Sequence, residues 1–175
     1  LETILEAATL LKKYDDIHWI ILGEGREKPE FVRKVARLDL GDRVQLLGRF
    51  PPCDMPKFFA LADALLVTLR PDPVFDLTIP SKVQAYVACG RPIIAAINGE
   101  GRRVIDEAGA GLTGPAADAQ QLANNVLRLY NCSDTDRKQL ANQALRYSEL
   151  NFNRRQIVDR LEQTLMSLKQ KEHPE

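Results

Sequence analysis

The segment Thr78-Ile79-Pro80-Ser81-Lys82 has the residue types of an anion-binding site. It follows a predicted strand and leads into a predicted helix, for which Ser81 is the predicted N-cap. The first backbone amides of a helix carry partial positive charge and bind phosphate well. Lys82 lies in the first turn, where a cation is unfavourable unless an anion is bound, although a solvated lysine that points away from the helix is the alternative interpretation. This pattern predicts recognition of a phosphate group.

Two further turns contain glycine at the ends of predicted strands. Gly23-Glu24-Gly25 follows one apolar run, and Asn98-Gly99-Glu100-Gly101 follows another. Ligands of parallel α/β sheets bind at the carboxyl ends of the strands, so both turns lie at the expected edge. Each turn alone is also typical of an ordinary tight turn. Arg102 and Arg103, which come next, are predicted to be solvated surface charges.

Several kinds of chemistry are excluded by residues that the sequence lacks. Its histidines are His18, which we interpret as structural, and His173, so neither a histidine-based catalytic dyad nor a histidine-containing zinc site is expected. The Gly-x-x-x-x-Gly-Lys-Ser/Thr phosphate loop is absent. Cys53, Cys89 and Cys132 fit neither a disulfide framework nor a zinc knuckle, and Cys89 is predicted to be a small buried hydrophobe.

The overall composition favours a globular domain, and the odd number of widely spaced cysteines favours a reducing cytosol. The 24 basic residues balance the 24 acidic residues and form no basic stripe, so no nucleic-acid partner is expected. No apolar run approaches the roughly 20 residues that cross a bilayer, and no signal peptide is recognised. The chain opens at Leu1 inside a helical pattern and without methionine, which we interpret as part of a longer protein.

Strands and helices alternate along the chain and must position these residues. The predicted strands are residues 19–22, 44–48, 64–69, 92–97 and an edge strand at 111–113. The first strand, Trp19-Ile20-Ile21-Leu22, is apolar throughout and is predicted to be buried on both faces. The alternation predicts an α/β fold of the Rossmann-like, three-layer α/β/α type with a parallel sheet, plus C-terminal helices.

Helical spacing of apolar residues and helix-ending signals predict the remaining elements. The predicted helices are residues 4–11, 29–38, 56–62, 81–89, 103–108, 122–130, 134–150 and 153–171. Gly90 is predicted to end the fourth of these helices at C′, and residues 70–80, with three prolines, are predicted to form a loop. The last helix carries an apolar stripe, Ile157, Leu161, Leu165 and Leu168, which is expected to be less well covered than a core helix. Simple packing on the sheet layer is the alternative.

Taken in order, these segments resemble the C-terminal, donor-binding lobe of retaining glycosyltransferases of family four, which have the GT-B fold. The matching segments are Ile20–Gly25, Asp42–Gly48, Ala62–Val67 and Pro80–Ile94, followed by Gly111 and the helix after Pro115. The resemblance covers about residues 1 to 130, and the order and spacing of the segments make it specific.

The resemblance implies transfer of a sugar from a nucleotide diphosphate donor, with retention at the anomeric carbon. It places the base near Arg49 and Phe50, and the diphosphate and sugar at residues 78–82. Backbone amides and a lysine can stabilise a leaving diphosphate without a metal, so neither metal nor other cofactor is expected. The expected donor-binding residues are Gly23, Arg49, Phe50, Thr78, Ile79, Pro80, Ser81, Lys82, Glu100 and Gly101. No catalytic residue is assigned to this lobe.

The sequence departs from the family pattern at two positions. Most members carry two glutamates eight positions apart, which contact the donor sugar and the ribose, whereas this chain has Leu77 and Ala85 there. The variant loop resembles a subgroup that assembles surface polysaccharides, including N-acetyl-L-fucosamine transferases. It implies a UDP-linked amino-sugar donor and a glycan or lipid-linked acceptor, with the full-length protein in the cytoplasm or at the inner face of the cytoplasmic membrane.

On this interpretation residues 1–175 form one lobe, and residues 152–172 are predicted to cross toward an N-terminal lobe that binds the acceptor. The lobe alone is expected to be inactive. Two alternatives stay open: a lobe that binds nucleotide sugars without catalysis, and a lobe of a nucleotide-sugar epimerase, which shares the two-lobed fold. A response-regulator receiver is disfavoured, because Gly23-Glu24-Gly25 and Arg70-Pro71 occupy the places of its acidic residues.

Overall fold

The computed structural model describes residues 1–172, with side chains through Leu168, and His173 lies outside the described residues. The strands are β1 (Trp19–Leu22), β2 (Val44–Gly48), β3 (Leu65–Thr68), β4 (Ile93–Ala96) and β5 (Gly111–Gly114). The helices are α1 (Glu2–Leu10), α2 (Lys28–Arg37), α3 (Met55–Leu61), α4 (Pro73–Asp76), α5 (Ser81–Val87), α6 (Gly99–Ala108), α7 (Ala119–Tyr130), α8 (Asp134–Asn151) and α9 (Arg154–Glu172). All predicted strands are therefore present.

The strands form two parallel ladders. β1 pairs with β2, and β4 lies between β3 and β5. The position of β5 at an edge is the predicted one. Within residues 1–172 no ladder joins the two sheets. Parallel pairing brings the carboxyl ends of neighbouring strands to one edge, where the loops after β3 and β4 lie side by side.

Apolar side chains pack on both sides of the strands. One cluster joins α1, α2 and α7 to both ladders, and it includes Leu5, Trp19, Ile94 and Leu122. The other cluster joins α5, α6 and α8 to the opposite face of β4, at Ile93 and Ala95, and includes Ile97 directly after the strand. The two clusters confirm the predicted three-layer α/β/α fold.

The prediction that β1 is buried on both faces is wrong. Trp19 is 7% exposed, but Ile20 is 50% exposed. Helices α1 and α2 cover the Trp19 face, whereas the cluster of α5, α6 and α8 contains no residue of β1 or β2. The opposite face of the β1–β2 ladder is therefore open, and Leu47 of β2 is exposed there with Ile20.

Residues 70–80 are not the simple loop that their prolines predict. They contain the single-turn helix α4, because the Asp72 carboxylate accepts a hydrogen bond from Val74 N (2.9 Å) and Pro73 occupies the first helical turn. The glycine turn at residues 98–101 likewise forms most of the first turn of α6, which begins at Gly99 instead of Arg103. Glycine is compatible with a helix start, and tertiary contacts decide its conformation here.

The ends of α5 also differ from the prediction. Ser81 is the first residue of the helix, and the N-cap position belongs to Pro80, which makes no side-chain cap. The helix ends at Val87, two residues before the predicted end. Gly90 has the left-handed conformation (φ +60°), as its type predicts, but it ends the turn that follows the helix.

Helix α9 leaves its apolar stripe uncovered. Ile157, Leu161, Leu165 and Leu168 are 49% to 58% exposed, which confirms the expectation that the stripe is less covered than a core helix. The predicted crossing toward another lobe stays a prediction. No helix within residues 1–172 combines the length and the hydropathy that a membrane span requires.

Candidate functional site

The segments that follow β3 and β4 are in direct contact. Gly99 has a left-handed backbone (φ +62°), and a Cβ at this position would overlap the backbone carbonyl of Asp76. Only glycine therefore lets the backbone of α4 lie directly on the start of α6. This contact fixes the loop after β3 against the first turn after β4.

A second close contact lies two residues further along α6. Gly101 is buried, and a Cβ there would come within 2.8 Å of Pro80 Cδ and 3.1 Å of Ile97 Cδ1. The absence of a side chain makes room for Pro80 immediately before α5. The structure thus brings residues 78–82 together with Glu100 and Gly101, which the sequence predicted as parts of one site.

The start of α5 is open to solvent. Ser81 and Lys82 are both exposed, and Val83 N donates to Pro80 O (2.9 Å). The first amides of a helix have no intrahelical acceptor, so Ser81 and Lys82 present N–H groups at this end. Amides and an ammonium group at one position form a suitable environment for an anion.

The loop before α5 is held by its own side chains. The Asp72 carboxylate that caps α4 also lies 3.5 Å from Arg70 Nη2, and the Arg70 guanidinium lies 5.6 Å from the centre of the Phe75 ring. Thr78 Oγ1 donates to Phe75 O (3.2 Å). Asp72 is a positioning residue that is not among the residues predicted above, although an aspartate directly before a proline is a typical helix start.

Glu100 is paired within its own helix. Arg103 donates to its carboxylate (2.7 Å) and also to Glu107 (2.6 Å). The hydrogen bond from Arg103 lowers the pKa of Glu100, and the two carboxylates raise the pKa of Arg103. Arg102 Nε lies 3.3 Å from Asp106 Oδ2. The two arginines are partly exposed, but they are ion-paired rather than isolated surface charges.

Asn98 links the loops after β4 and β5. Its Oδ1 accepts a hydrogen bond from Ala116 N (3.0 Å), and it makes no side-chain cap to α6. The neighbouring Ala117 has a left-handed backbone (φ +62°). Asn98 is thus a second positioning residue, and the sequence indicated it only as part of a turn.

The other predicted residues lie at the ends of β1 and β2. Gly23 N donates to Gly48 O (2.7 Å), and both glycines have positive φ, at +140° and +82°. Arg49, which follows, is exposed, while the Phe50 ring packs against Phe58 at 4.6 Å between centroids. Gly23, Arg49 and Phe50 therefore form one group. This group follows the strands of one hydrogen-bonded sheet, and the group at β3 and β4 follows the strands of the other sheet.

Residues with reactive side chains lie elsewhere. His18 precedes β1, at the amino end of the strands, and its Nδ1 lies 3.2 Å from Asp42 O. Cys89 is partly buried, its thiol donates to Ala85 O (3.0 Å), and burial raises its pKa, which disfavours the nucleophilic thiolate. Among residues 1–172, no three His, Cys, Asp or Glu side chains form a cluster that could hold a metal ion.

Comparison with protein families identifies one match. The chain matches the family described as "Glycosyl transferases group 1" over residues 1–132, which is more than half of its length. A search of curated proteins finds no match.

Solved structures share the fold. One is HepE of Anabaena, solved with UDP and glucose, with a TM-score of 0.77, 21% identity, 94% of this chain covered and 44% of that one. Another is the C-terminal domain of the group 1 glycosyl transferase LpcC of Francisella tularensis (TM-score 0.71, 20% identity, coverage 87% and 78%). A TarM mutant of S. aureus, solved with fondaparinux, alpha-GlcNAc-glycerol and UDP, has a TM-score of 0.78, 18% identity and coverage of 90% and 31%. The chain thus spans less than half the length of HepE and TarM.

Proposed function

The chain belongs to the group 1 glycosyl transferases, and from that premise we propose that it is the donor-binding domain of a glycosyltransferase. In this proposal it binds a nucleotide diphosphate sugar, with UDP as the nucleotide. The longer enzyme transfers the sugar to a glycan or lipid-linked acceptor with retention at the anomeric carbon, as in family four.

The contact between the loops after β3 and β4 supports this proposal most directly. Gly99 and Gly101 allow Asp76 and Pro80 to pack closely, and this packing holds the exposed start of α5 at the carboxyl edge of the sheet. Ligands of α/β folds bind at this edge. The diphosphate is proposed to accept hydrogen bonds from the amides of Ser81 and Lys82 and to pair with the Lys82 ammonium.

The remaining predicted residues surround this position in the proposal. Thr78, Ile79 and Pro80 line the sugar and diphosphate, Glu100 and Gly101 form the opposite wall, and Gly23, Arg49 and Phe50 adjoin the base. In the transition state negative charge grows on the leaving diphosphate, and fixed amides with a lysine stabilise it without reorganisation. No metal or other cofactor is required in this scheme.

The donor and its setting are further parts of the proposal. Both HepE and TarM were solved with UDP, which supports UDP as the nucleotide here. The resemblance of the loop around Leu77 to surface-polysaccharide transferases favours an amino sugar of the N-acetyl-L-fucosamine type. We further propose that the full-length protein acts in the cytoplasm or at the inner face of the cytoplasmic membrane.

The 175-residue chain alone is proposed to bind the donor without transferring the sugar. A GT-B active site lies between two lobes, and orientation of both substrates supplies much of the rate. Weak binding, around millimolar, needs only about 4 kcal/mol. Transfer from a panel of nucleotide sugars to lipid-linked acceptors, compared between this chain and the full-length protein, tests the point. Equal turnover would contradict it.

One observation favours a second candidate function, nucleotide-sugar binding without catalysis. Leu77 is 82% exposed at the loop where most family members carry a glutamate, and Ala85 is exposed at the second glutamate position. Neither side chain can accept a hydrogen bond from a sugar hydroxyl. A full-length protein that binds UDP-sugars but transfers none would support this candidate, and interconversion of sugar epimers would support an epimerase lobe.

Calorimetry with UDP tests the donor site. In the full-length protein, Lys82→Ala is expected to weaken binding by about 1–3 kcal/mol, roughly fivefold to 150-fold in Kd, because one charged hydrogen bond is lost. Lys138→Ala is the matched control, since Lys138 is exposed on α8 and away from the strand ends. Unchanged affinity in Lys82→Ala, or an equal loss in the control, would contradict the site.

A further inference from the structure

A chain of polar contacts runs along one face of α6. Arg103 Nε and Nη2 both donate to Glu100 Oε2 (2.9 and 2.7 Å), and Arg103 Nη1 donates to Glu107 Oε1 (2.6 Å). The spacings of three and four residues bring these side chains to the same side of the helix. The planar guanidinium is therefore held by a carboxylate on each side.

Tyr147 of α8 attaches this chain to a second helix. Its hydroxyl donates to Glu107 Oε2 (3.3 Å). The Tyr147 ring packs against Phe152 at 5.8 Å between centroids, and both rings pack on the apolar cluster of α5, α6 and α8. Burial and the Glu107 carboxylate raise the pKa of the Tyr147 hydroxyl, so it stays protonated and acts as a donor. One end of the polar chain is thus anchored to the packed core.

The other end lies at the carboxyl edge of the sheet. Glu100 stands between Gly99 and Gly101, the two glycines that pack on the loop after β3. Its side chain is partly exposed. Both hydrogen bonds from Arg103 go to Oε2, which leaves Oε1 as an acceptor at the proposed donor site.

Tyr147 and Glu107 are too far from this edge to touch a ligand bound there. A helix rises about 1.5 Å per residue, so Glu107 lies about 10 Å from Glu100 along the axis of α6. Their effect on the site must pass through Arg103. A single exposed ion pair leaves such a side chain mobile, whereas a network with two carboxylates and a packed tyrosine restricts it.

We propose that Glu100 accepts a hydrogen bond from a hydroxyl of the donor sugar through Oε1, and that Arg103, Glu107 and Tyr147 position its carboxylate for this contact. This role depends on the proposed donor site, in which the sugar lies between residues 78–82 and α6. A hydroxyl bonded to a carboxylate forms a strong, charge-assisted hydrogen bond.

The surroundings of Glu100 favour this role. Leu77, Ile79 and Pro80 in the facing loop have apolar side chains, which cannot accept a hydrogen bond from a sugar hydroxyl, whereas Glu100 can. A carboxylate near a diphosphate is unfavourable by itself, because the two negative charges repel each other. The Arg103 guanidinium offsets the charge of Glu100, and so makes a carboxylate compatible with the neighbouring anion.

Calorimetry of the full-length protein with two probes, UDP and UDP-N-acetyl-L-fucosamine, tests the proposal. Glu100→Gln is expected to weaken binding of the nucleotide sugar about tenfold and to leave UDP affinity unchanged, because only the sugar loses a charged acceptor. Tyr147→Phe keeps the ring and removes the hydroxyl. It should weaken the nucleotide sugar about threefold to tenfold, again with unchanged UDP affinity. The matched control is Tyr130→Phe, since Tyr130 donates to Asp16 (3.2 Å) at the amino end of the strands.

The double variant Glu100→Gln/Tyr147→Phe distinguishes positioning from a general structural effect. If Tyr147 acts through Glu100, the double variant should bind the nucleotide sugar no more weakly than Glu100→Gln alone. Losses that multiply in the double variant would overturn the proposal, as would equal losses for UDP and the nucleotide sugar. An equal loss in Tyr130→Phe would also overturn it.

Lys82→Ala separates this role from the proposed function, because it should weaken both probes. If it does so while the Glu100 and Tyr147 variants bind both probes normally, the donor site is supported and the role of Glu100 is wrong. If the wild-type protein binds UDP but not the nucleotide sugar, the role of Glu100 is again wrong. Binding of neither probe would contradict the proposed function as well.

Discussion

β1 and β4 are short apolar strands of the same length in very different environments. Every residue of β4, from Ile93 to Ala96, is at most 5% exposed, whereas β1 has Trp19 at 7% and Ile20 at 50%. β4 has a strand on each side and helices on both faces, while β1 has one partner strand and one covered face. The neighbours of a strand thus decide whether it is buried. An apolar composition permits burial but does not determine it.

The loops that extend from the two ladders differ in the same way. After β3 and β4, Asp76 packs on Gly99 and Pro80 packs on Gly101. After β1 and β2, one backbone hydrogen bond joins Gly23 to Gly48, and the Lys28–Glu24 ion pair (2.5 Å) is exposed. Exposed ion pairs contribute little to stability. We therefore expect the β3–β4 side to be the more rigid part of the donor site.

The largest expected difference concerns the two strands themselves. Ile93→Ala removes side-chain atoms from a fully buried position and should lower the free energy of unfolding by about 2–5 kcal/mol. Ile20→Ala, at a half-exposed position, should cost less than about 1.5 kcal/mol because less apolar surface is lost. Urea denaturation of both variants measures the contrast. Equal losses would mean that β1 is as buried in solution as β4.

A smaller effect is expected from the loop glycines. Gly99→Ala forces a side chain toward the Asp76 carbonyl at positive φ and should destabilise the chain by on the order of 1–3 kcal/mol. It should also weaken UDP binding, because the start of α6 moves away from α4. Gly25→Ala is the matched variant in the other ladder, since a Cβ there meets nothing within 4 Å. A tolerated Gly99→Ala with normal UDP affinity would disprove the close contact.

The hydrogen bond from Ala116 N to Asn98 gives a third contrast. Asn98→Ala removes the acceptor and should lower the free energy of unfolding by about 1 kcal/mol, because a partly buried amide loses its partner. Asn142→Ala, on the exposed surface of α8, should change it by less than about 0.5 kcal/mol. Thermal unfolding of the two variants checks this. If Asn142→Ala lowers the free energy of unfolding as much as Asn98→Ala does, the loop hydrogen bond does not make the expected contribution to stability.

The smallest effect is the titration of Glu100. Its pKa is lowered by the hydrogen bond from Arg103, so the folded state favours the carboxylate. The contribution of this group to stability is present above its unfolded pKa and is lost as pH falls through the lowered folded pKa. Arg103→Gln should move the pKa of Glu100 back up toward its ordinary value, as followed by NMR of the carboxyl carbon. A pKa that stays low in this variant would assign the shift to another cause.

The sequence was sufficient to predict elements whose signals are local. β2 and β4 are apolar runs closed by glycine or asparagine turns, and helix α2 begins where Pro29 favours a first turn. Residues 78–82 and Glu100 with Gly101 were predicted at one edge of the sheet, and the structure brings them together. That these residues bind a donor stays a prediction.

Features that depend on distant parts of the chain were not predictable. The exposure of Ile20 is set by which helices cover its face, and a four-residue pattern carries no information about them. The sequence predicts only a turn at Gly99, because the contact with Asp76 depends on the position of α4. Pro80 rather than Ser81 takes the N-cap position, since the start of α5 is fixed by packing on Gly101.

Chemical-shift mapping of a UDP titration by two-dimensional NMR tests the central claim most directly. The account predicts saturable shifts of the backbone amides of Thr78, Ser81, Lys82, Glu100 and Gly101, with a second group at Arg49 and Phe50. Amides of α8 and α9, away from the carboxyl edge, should stay unchanged. No saturable shift, or shifts concentrated on α8 or α9, would contradict the assignment of this edge as the nucleotide site.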